Sequence, residues 1–109
     1  MPETSTFIQP ISEDQQQRVI QRTHAYIDQA GQLFDLDKYP LTISFNLKGR
    51  CAGMYRVKKS KRTFSLSSTY KREIRYNSFI FSKYFDDNYN NTIPHEVAHY
   101  VCDIVYGLK

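Results

Sequence analysis

Hydrophobic residues, with one threonine among them, recur at helical spacing along the first third of the chain. Ser12 precedes the first of these positions and can cap a helix. Its hydroxyl can accept from the Gln15 main-chain amide, while the Gln15 side chain reaches back to the Ser12 main-chain amide. We therefore predict a helix from about Glu13 to Phe34, preceded by a flexible polar arm at residues 1–11. The length of 109 residues favours a single domain, here residues 12–109. The repeating positions are Val19, Ile20, Thr23, Tyr26, Ile27, Ala30, Leu33 and Phe34.

A two-residue alternation begins after Pro40. Leu41, Ile43, Phe45 and Leu47 alternate with polar residues, and this period predicts a strand with one buried face. The connections that follow are too short for helical crossovers, so we expect the strands to pair antiparallel. Further extended segments are predicted at Met54–Val57, Phe64–Ser67 and Tyr70–Tyr76, with a charged turn at Lys58–Arg62.

The last third of the chain indicates two helices. Asn77 or Ser78 can cap a short helix that runs through Tyr84, and a polar loop is expected at Asp86–Asn91. A final helix is predicted from about Asn91 or Thr92 to Tyr106, with Pro94 in its first turn, where its missing N–H leaves no bond unmade. The predicted order is helix, small antiparallel sheet, short helix and helix, which is an α+β layout.

Positive charge is concentrated in the middle of the chain. Ten basic residues and no acidic one lie between Lys38 and Arg72, although the net charge of the whole chain is only +4. Such a segment favours an anionic partner such as nucleic acid, and a solvated basic loop is the alternative. The densest run consists of Arg56, Lys58, Lys59, Lys61 and Arg62.

Other features bear on the compartment. No apolar run approaches the roughly 20 residues needed to span a bilayer, and Met1–Pro10 lacks the features of a secretory signal. Two cysteines, Cys51 and Cys102, are too few for a disulfide framework, so we expect reduced thiols in the core. The chain is therefore predicted to be cytoplasmic, or nuclear in a eukaryotic cell, with no membrane partner.

The sharpest chemical signal is His95-Glu96-Val97-Ala98-His99, an HExxH motif on the last predicted helix. Positions four apart share a helix face, so the two imidazoles can bind one Zn²⁺ at roughly 2.0–2.1 Å. Glu96 lies beside them and is the candidate general base for a zinc-activated water. The alternative is an amphipathic helix whose two histidines align by chance.

A catalytic zinc ion normally has three protein ligands. The remaining histidine, His24, lies midway along the first helix, and we interpret it as a helix-surface or core residue. Asp103 follows His99 by one turn and is a candidate weak ligand or hydrogen-bonding partner of a ligand, although a solvent-facing side chain is favoured. We therefore expect the third ligand beyond Lys109.

Three stretches together resemble the SprT-like family, which includes bacterial SprT proteins and the eukaryotic Spartan protease. They are residues 45–53 (FNLKGRCAG), 73–77 (EIRYN) and 92–99 (TIPHEVAH), and their order and rough spacing agree with the family pattern. The resemblance implies a zincin-like minimal metallopeptidase domain in which His95 and His99 bind zinc and Glu96 is catalytic. Family members take their third histidine from a downstream His-Gly-x-x-Trp-like segment, which this sequence does not reach. Without that ligand, a metal-free, weakly metallated or inactive fragment is an alternative.

Three functions compete at this stage. The first is a zinc metallopeptidase, a hydrolase acting on a protein or peptide substrate, and the resemblance to Spartan-type members extends this to proteins on DNA. The second is a non-catalytic nucleic-acid-binding module, and the third is an interaction domain with structural or absent zinc. Glu96 favours the first, because a purely structural site does not need a base beside the metal. The oligomeric state stays open.

Overall fold

The computed structural model describes residues 9–34, 40–60 and 69–106. Helix α1 spans Glu13–Phe34, with the predicted bounds. Its first turn is closed as the sequence indicates: the Gln15 amide donates to the Ser12 hydroxyl at 3.2 Å, and the Ser12 amide donates to the Gln15 side chain at 3.0 Å. These two bonds satisfy amides that a helix start leaves without partners, so a local pattern defines where α1 begins.

The described strands form one mixed sheet. They are β1 (Leu41–Ser44), β2 (Gly53–Ser60) and β3 (Thr69–Tyr76). Their order is β1-β3-β2, with β3 antiparallel to β2 and parallel to β1. The predicted α+β layout is confirmed, but the expectation of purely antiparallel pairing is wrong for β1 and β3. The reason is that β2 lies at the far edge and carries the chain back along the sheet, so β3 can enter beside β1 without a helical crossover.

Two predicted boundaries in the sheet also change. The charged turn expected at Lys58–Arg62 begins too early, because β2 continues through Ser60. The predicted first strand is shorter than its alternation indicated: β1 ends at Ser44, and Asn46 only forms an isolated bridge with Asn77. The extended segment predicted at Phe64–Ser67 lies outside the described residues.

Strand alternation divides the sheet into two different faces. The inner face carries hydrophobic residues of β1 and β3, such as Ile43 and Ile74, which belong to the core or pack against it. The outer face carries polar and charged side chains and Met54 instead, and a half-polar sheet of this kind can leave one side open to solvent. Residues of the outer face are Thr42, Ser44, Met54, Arg56, Lys58, Lys71, Glu73 and Arg75.

The helices after the sheet are nearly continuous. They are α2 (Ser78–Lys83), α3 (Phe85–Asp87), a π-helical turn (Asn88–Thr92) and α4 (Ile93–Tyr106). Asn77 caps α2 as predicted, accepting from the Phe79 and Ile80 amides. Among the described residues, no helix is both long enough and apolar enough to cross a bilayer.

The polar loop predicted at Asp86–Asn91 is wrong, because its asparagines support helix instead. Each donates its side-chain amide to the carbonyl oxygen four residues earlier, and in Asn88 the main-chain amide donates to that same carbonyl at 3.0 Å as well. The bonds run from Asn88 to Tyr84 at 3.0 Å, from Asn90 to Asp86 at 2.9 Å and from Asn91 to Asp87 at 3.0 Å.

A buried hydrogen bond joins α1 to the sheet. Thr23 and Tyr76 are both fully buried, and their hydroxyl oxygens lie 2.8 Å apart. We predict that Thr23→Val, which keeps the volume, lowers the free energy of unfolding by about 1–3 kcal/mol because it removes this partner of the Tyr76 hydroxyl. The double variant Thr23→Val/Tyr76→Phe should lose less free energy of unfolding than Thr23→Val and Tyr76→Phe lose in sum. The reason is that the double variant leaves no buried hydroxyl without its partner. Urea unfolding measures this, and an unchanged midpoint for Thr23→Val would contradict it.

Candidate metal centre

Helix α4 exposes the two histidines of the HExxH motif on one side. His95 and His99 are both exposed, and their Nε2 atoms lie 3.2 Å apart. The ring centroids are 4.7 Å apart, with an interplanar angle of 87°. Two nitrogens bound to one tetrahedral zinc ion at roughly 2.0–2.1 Å lie about 3.3 Å apart. The separation of the two nitrogens is therefore the one that a shared zinc ion requires.

Glu96 lies between the histidines and the sheet. Only 5% of its surface is exposed, and with His95 it lines a shallow cleft of about 410 Å³. The other lining residues are Cys51, Ala52, Gly53, Asn91 and Thr92. The carboxylate thus faces a small open space beside the histidine pair, where a water molecule or a substrate group could reach it.

The surroundings of Glu96 raise the pKa of its carboxyl above the ordinary value. Burial raises the pKa of the carboxyl, while His95, His99 and the main-chain amide of Tyr55 act in the opposite sense without cancelling it. The Tyr55 amide donates a hydrogen bond to the Glu96 carboxylate. A buried carboxylate with one strand amide as donor has a defined orientation rather than a mobile one.

Gly53 makes room for this arrangement. A Cβ at this position would lie 3.0 Å from Cγ of Glu96 and 3.0 Å from Cγ2 of Thr92. Such distances are shorter than side-chain carbons tolerate without displacement. The first residue of β2 is therefore a glycine because α4 and its carboxylate approach the strand closely.

Asp103 is held inside the structure rather than facing solvent, so the favoured prediction for it is wrong. Its Oδ2 accepts from the Tyr55 hydroxyl at 2.5 Å and from Nε of Arg72 at 2.8 Å. The side chains of Arg72 and Asp103 are only 9% and 11% exposed. Asp103 can leave solvent because Arg72, on the inner face of the sheet, gives its carboxylate a charged partner. We call Tyr55, Arg72 and Asp103 the polar triad.

The polar triad also changes the tyrosine. Burial, followed by the hydrogen bond to Asp103 and that residue's charge, raises the pKa of the Tyr55 hydroxyl well above its usual range. The hydroxyl therefore stays protonated and acts as a donor to the carboxylate. The sequence analysis gave no role to Tyr55 or Arg72, and it included Gly53 only as part of the stretch at residues 45–53. A signal for Arg72 was present, since it alternates with Ile74 and Tyr76 and so belongs to their buried face.

Of the remaining candidate residues, His24 and Cys102 do not line the cleft, whereas Cys51 does. His24 is exposed on α1, as predicted for a helix-surface residue. Cys51 and Cys102 are both free, but they are exposed, so their predicted place in the core is wrong. Cys51 lies in the bend before β2 and Cys102 on the side of α4 that does not pack on the core.

Part of the basic run lies on β2. Arg56 and Lys58 belong to the outer face, and Lys59 is the next residue of the same strand. Lys61 and Arg62 lie outside the described residues. The structure adds Lys71 and Arg75 of β3 to the same face, which the sequence run did not include.

No third ligand joins the two histidines within the described part of the chain. Across residues 9–34, 40–60 and 69–106, no group of three or more His, Cys, Asp or Glu side chains could hold a metal ion. The predicted third ligand beyond Lys109 stays a prediction. The donor chemistry of the pair, two imidazole nitrogens at a zinc-like separation beside a carboxylate, nevertheless fits zinc.

Comparison with known proteins identifies one family. The model of the SprT-like family matches residues 19–109, which include the inner face of the sheet, the cleft and α4. No curated protein and no solved structure matches the chain.

We predict that Gly53→Ala lowers the free energy of unfolding by about 1–3 kcal/mol, because the added methyl overlaps Glu96 and Thr92. Gly31→Ala is the matched control. It lies in α1 with nothing within 4 Å of the added carbon, so it should raise stability by roughly 0.5–1 kcal/mol. Chemical unfolding of both variants tests this, and a Gly53→Ala protein as stable as the parent would show that the close approach is not needed.

Proposed function

Because the chain belongs to the SprT-like family, we propose that it is a zinc-dependent peptidase domain that hydrolyses peptide bonds. The observation that carries the proposal is the pair of exposed Nε2 atoms 3.2 Å apart, with the buried Glu96 carboxylate in the adjoining cleft. His95 and His99 would hold the zinc ion. A bound zinc ion would act as a Lewis acid that polarises the scissile carbonyl and makes water easier to deprotonate.

The protein side chains then have separate roles. A carboxylate oxygen of Glu96 takes a proton from the attacking water while the water oxygen bonds to the carbonyl carbon of the substrate. The same carboxyl returns that proton to the leaving nitrogen as the carbon–nitrogen bond breaks. The Tyr55 main-chain amide orients the Glu96 carboxylate for both proton transfers, and the missing side chain of Gly53 leaves room for it. A third zinc ligand is part of the proposal and is expected downstream of α4.

A non-catalytic domain with a vestigial metal site is the alternative. Glu96 supports the enzyme reading, because a buried carboxylate carries a desolvation cost that an apolar residue at the same position would not. In α4 it occupies a core-facing position that an apolar residue could fill. The cytoplasmic or nuclear location and the oligomeric state stay predictions.

We predict that Glu96→Gln keeps zinc and loses peptidase activity, because the amide fits the same space but cannot accept a proton. The loss should be about 10²–10⁴-fold, the usual contribution of a general base. Zinc content by elemental analysis and cleavage of an unfolded protein substrate are the two measurements. His99→Ala is the control that should lose the metal. Equal turnover by Glu96→Gln and the parent would remove the general-base role.

We further propose that the outer face contacts nucleic acid, which would bring the domain to DNA-associated proteins. Four of its side chains are cations, Arg56, Lys58, Lys71 and Arg75, against the single carboxylate of Glu73. Burial raises the pKa of Glu73, but the hydrogen bond and charge of Arg56, together with the Ser44 hydrogen bond and the Arg75 charge, leave it lowered overall. That carboxylate is therefore ionised and already engaged by Arg56 at 2.7 Å.

An unfavourable pair on this face supports the proposal. Lys58 and Lys71 are both exposed and lie directly opposite each other on β2 and β3. Like charges in this position cost roughly 0.2–1 kcal/mol. An anionic partner lying across the two strands would remove that repulsion, and phosphates are the anions that lysine pairs commonly neutralise.

We predict that Lys58→Gln weakens binding of fluorescein-labelled single-stranded DNA while slightly raising stability, because it removes both a phosphate contact and the repulsion. The slope of the logarithm of the binding constant against the logarithm of the salt concentration should become shallower by about 0.7 for one lost phosphate contact. Lys83→Gln on α2 makes the same charge change away from the outer face and serves as control. Titrations at two salt concentrations, with urea unfolding, measure both effects. Binding insensitive to salt, or equal loss in both variants, would contradict the proposal.

A further inference from the structure

The polar triad lies outside the cleft but joins the metal-binding helix to the sheet. Asp103 is on α4, one turn after His99, whereas Tyr55 is on β2 and Arg72 on β3. Both contacts converge on one carboxylate oxygen, at 2.5 Å from Tyr55 and 2.8 Å from Arg72. One side chain of α4 is therefore bound to two neighbouring strands at once.

Tyr55 contacts α4 at three successive points. Its main-chain amide donates to Glu96, its ring meets the Tyr100 ring edge-on with centroids 6.1 Å apart, and its hydroxyl donates to Asp103. These positions span two turns of one helix face, and His95 and His99 lie on the same two turns. A helix held at both ends of this span can neither rotate nor slide along β2 without breaking one of these contacts.

Stability alone is a weak reason for such a contact. Replacing a buried ion pair by packed apolar residues is often neutral or stabilising, whereas removing one partner is strongly destabilising. A buried, directional contact does, however, select one arrangement among several that apolar packing would accept. At a metal site, small errors in ligand placement reduce affinity. Partners bonded directly to a metal ligand commonly contribute 10–100-fold, and the triad acts one step further out, so the lower end of that range is expected.

We propose that Tyr55, Arg72 and Asp103 are positioning residues for the metal site, fixing α4 on the sheet so that His95 and His99 present their nitrogens together beside Glu96. This inference rests on the proposed function, because it assigns the residues a role in zinc binding. The triad touches neither metal nor substrate, and it acts through the helix.

Asp103→Asn tests the inference. The amide keeps the size of the side chain but removes the charge that both donors share, so zinc affinity should fall about tenfold. Tyr55→Phe, which removes only one donor, should change affinity in the same direction and to a smaller extent. Affinity is measured by competition with a chromophoric chelator, on protein shown to be folded by circular dichroism.

Glu73→Gln is the matched control. It breaks the Arg56–Glu73 ion pair of 2.7 Å, which joins the same two strands on the opposite face. If the triad were only structural, all three variants would lower the free energy of unfolding and leave the zinc affinity of the folded protein unchanged. We expect Glu73→Gln alone to behave in that way.

The outcomes separate this inference from the proposed function. Zinc binding by the parent with unchanged affinity in folded Asp103→Asn and Tyr55→Phe would overturn the positioning role and leave the function standing. If the protein extended to include the proposed third ligand bound no zinc, the proposed function would fall. The positioning role would then be tested by the NMR signals of the His95 and His99 imidazoles. Signals displaced by Tyr55→Phe but not by Glu73→Gln would support that role, and signals unchanged in both variants would overturn it.

Discussion

Two carboxylates lie two turns apart on the same face of α4, Glu96 buried and Asp103 with its side chain 11% exposed, and the sheet must satisfy both. A buried carboxylate costs several kcal/mol unless it has donors or a charged partner. β2 supplies an amide to one and a phenol to the other, both from Tyr55, while Arg72 supplies the charge. The position of α4 against the sheet is thus determined by polar demands rather than by apolar packing alone.

The histidine pair follows from that placement. Because one face of α4 is committed to the sheet, His95 and His99 remain on its exposed side with their nitrogens together. Gly53 belongs to the same constraint, since any side chain there would push Glu96 away. The mixed sheet also keeps its two faces chemically distinct. The inner face carries the helix contacts, and the outer face carries four cations against the carboxylate of Glu73.

Features governed by neighbours in the chain were mostly predicted, and the exception is the helical stretch at Asp86–Asn91, where a loop was expected. The cap formed by Ser12 and Gln15, the Asn77 cap of α2 and the spacing of His95 and His99 all depend on residues within four positions of each other. Predictions failed where partners are distant in sequence. The parallel pairing of β1 with β3 depends on where β2 lies, and the burial of Asp103 depends on Tyr55, 48 residues away.

By itself, the sequence determined that a helix would present two imidazoles four residues apart with a carboxylate between them, because helical geometry is local. It also determined family membership, since the motifs surrounding that helix are short and contiguous. Only the tertiary structure decided which strand faces the carboxylate, that Arg72 is buried against Asp103, and which cations share the outer face. Those outcomes arise from the competition among distant groups for burial and for hydrogen-bond partners, which no single stretch of sequence contains.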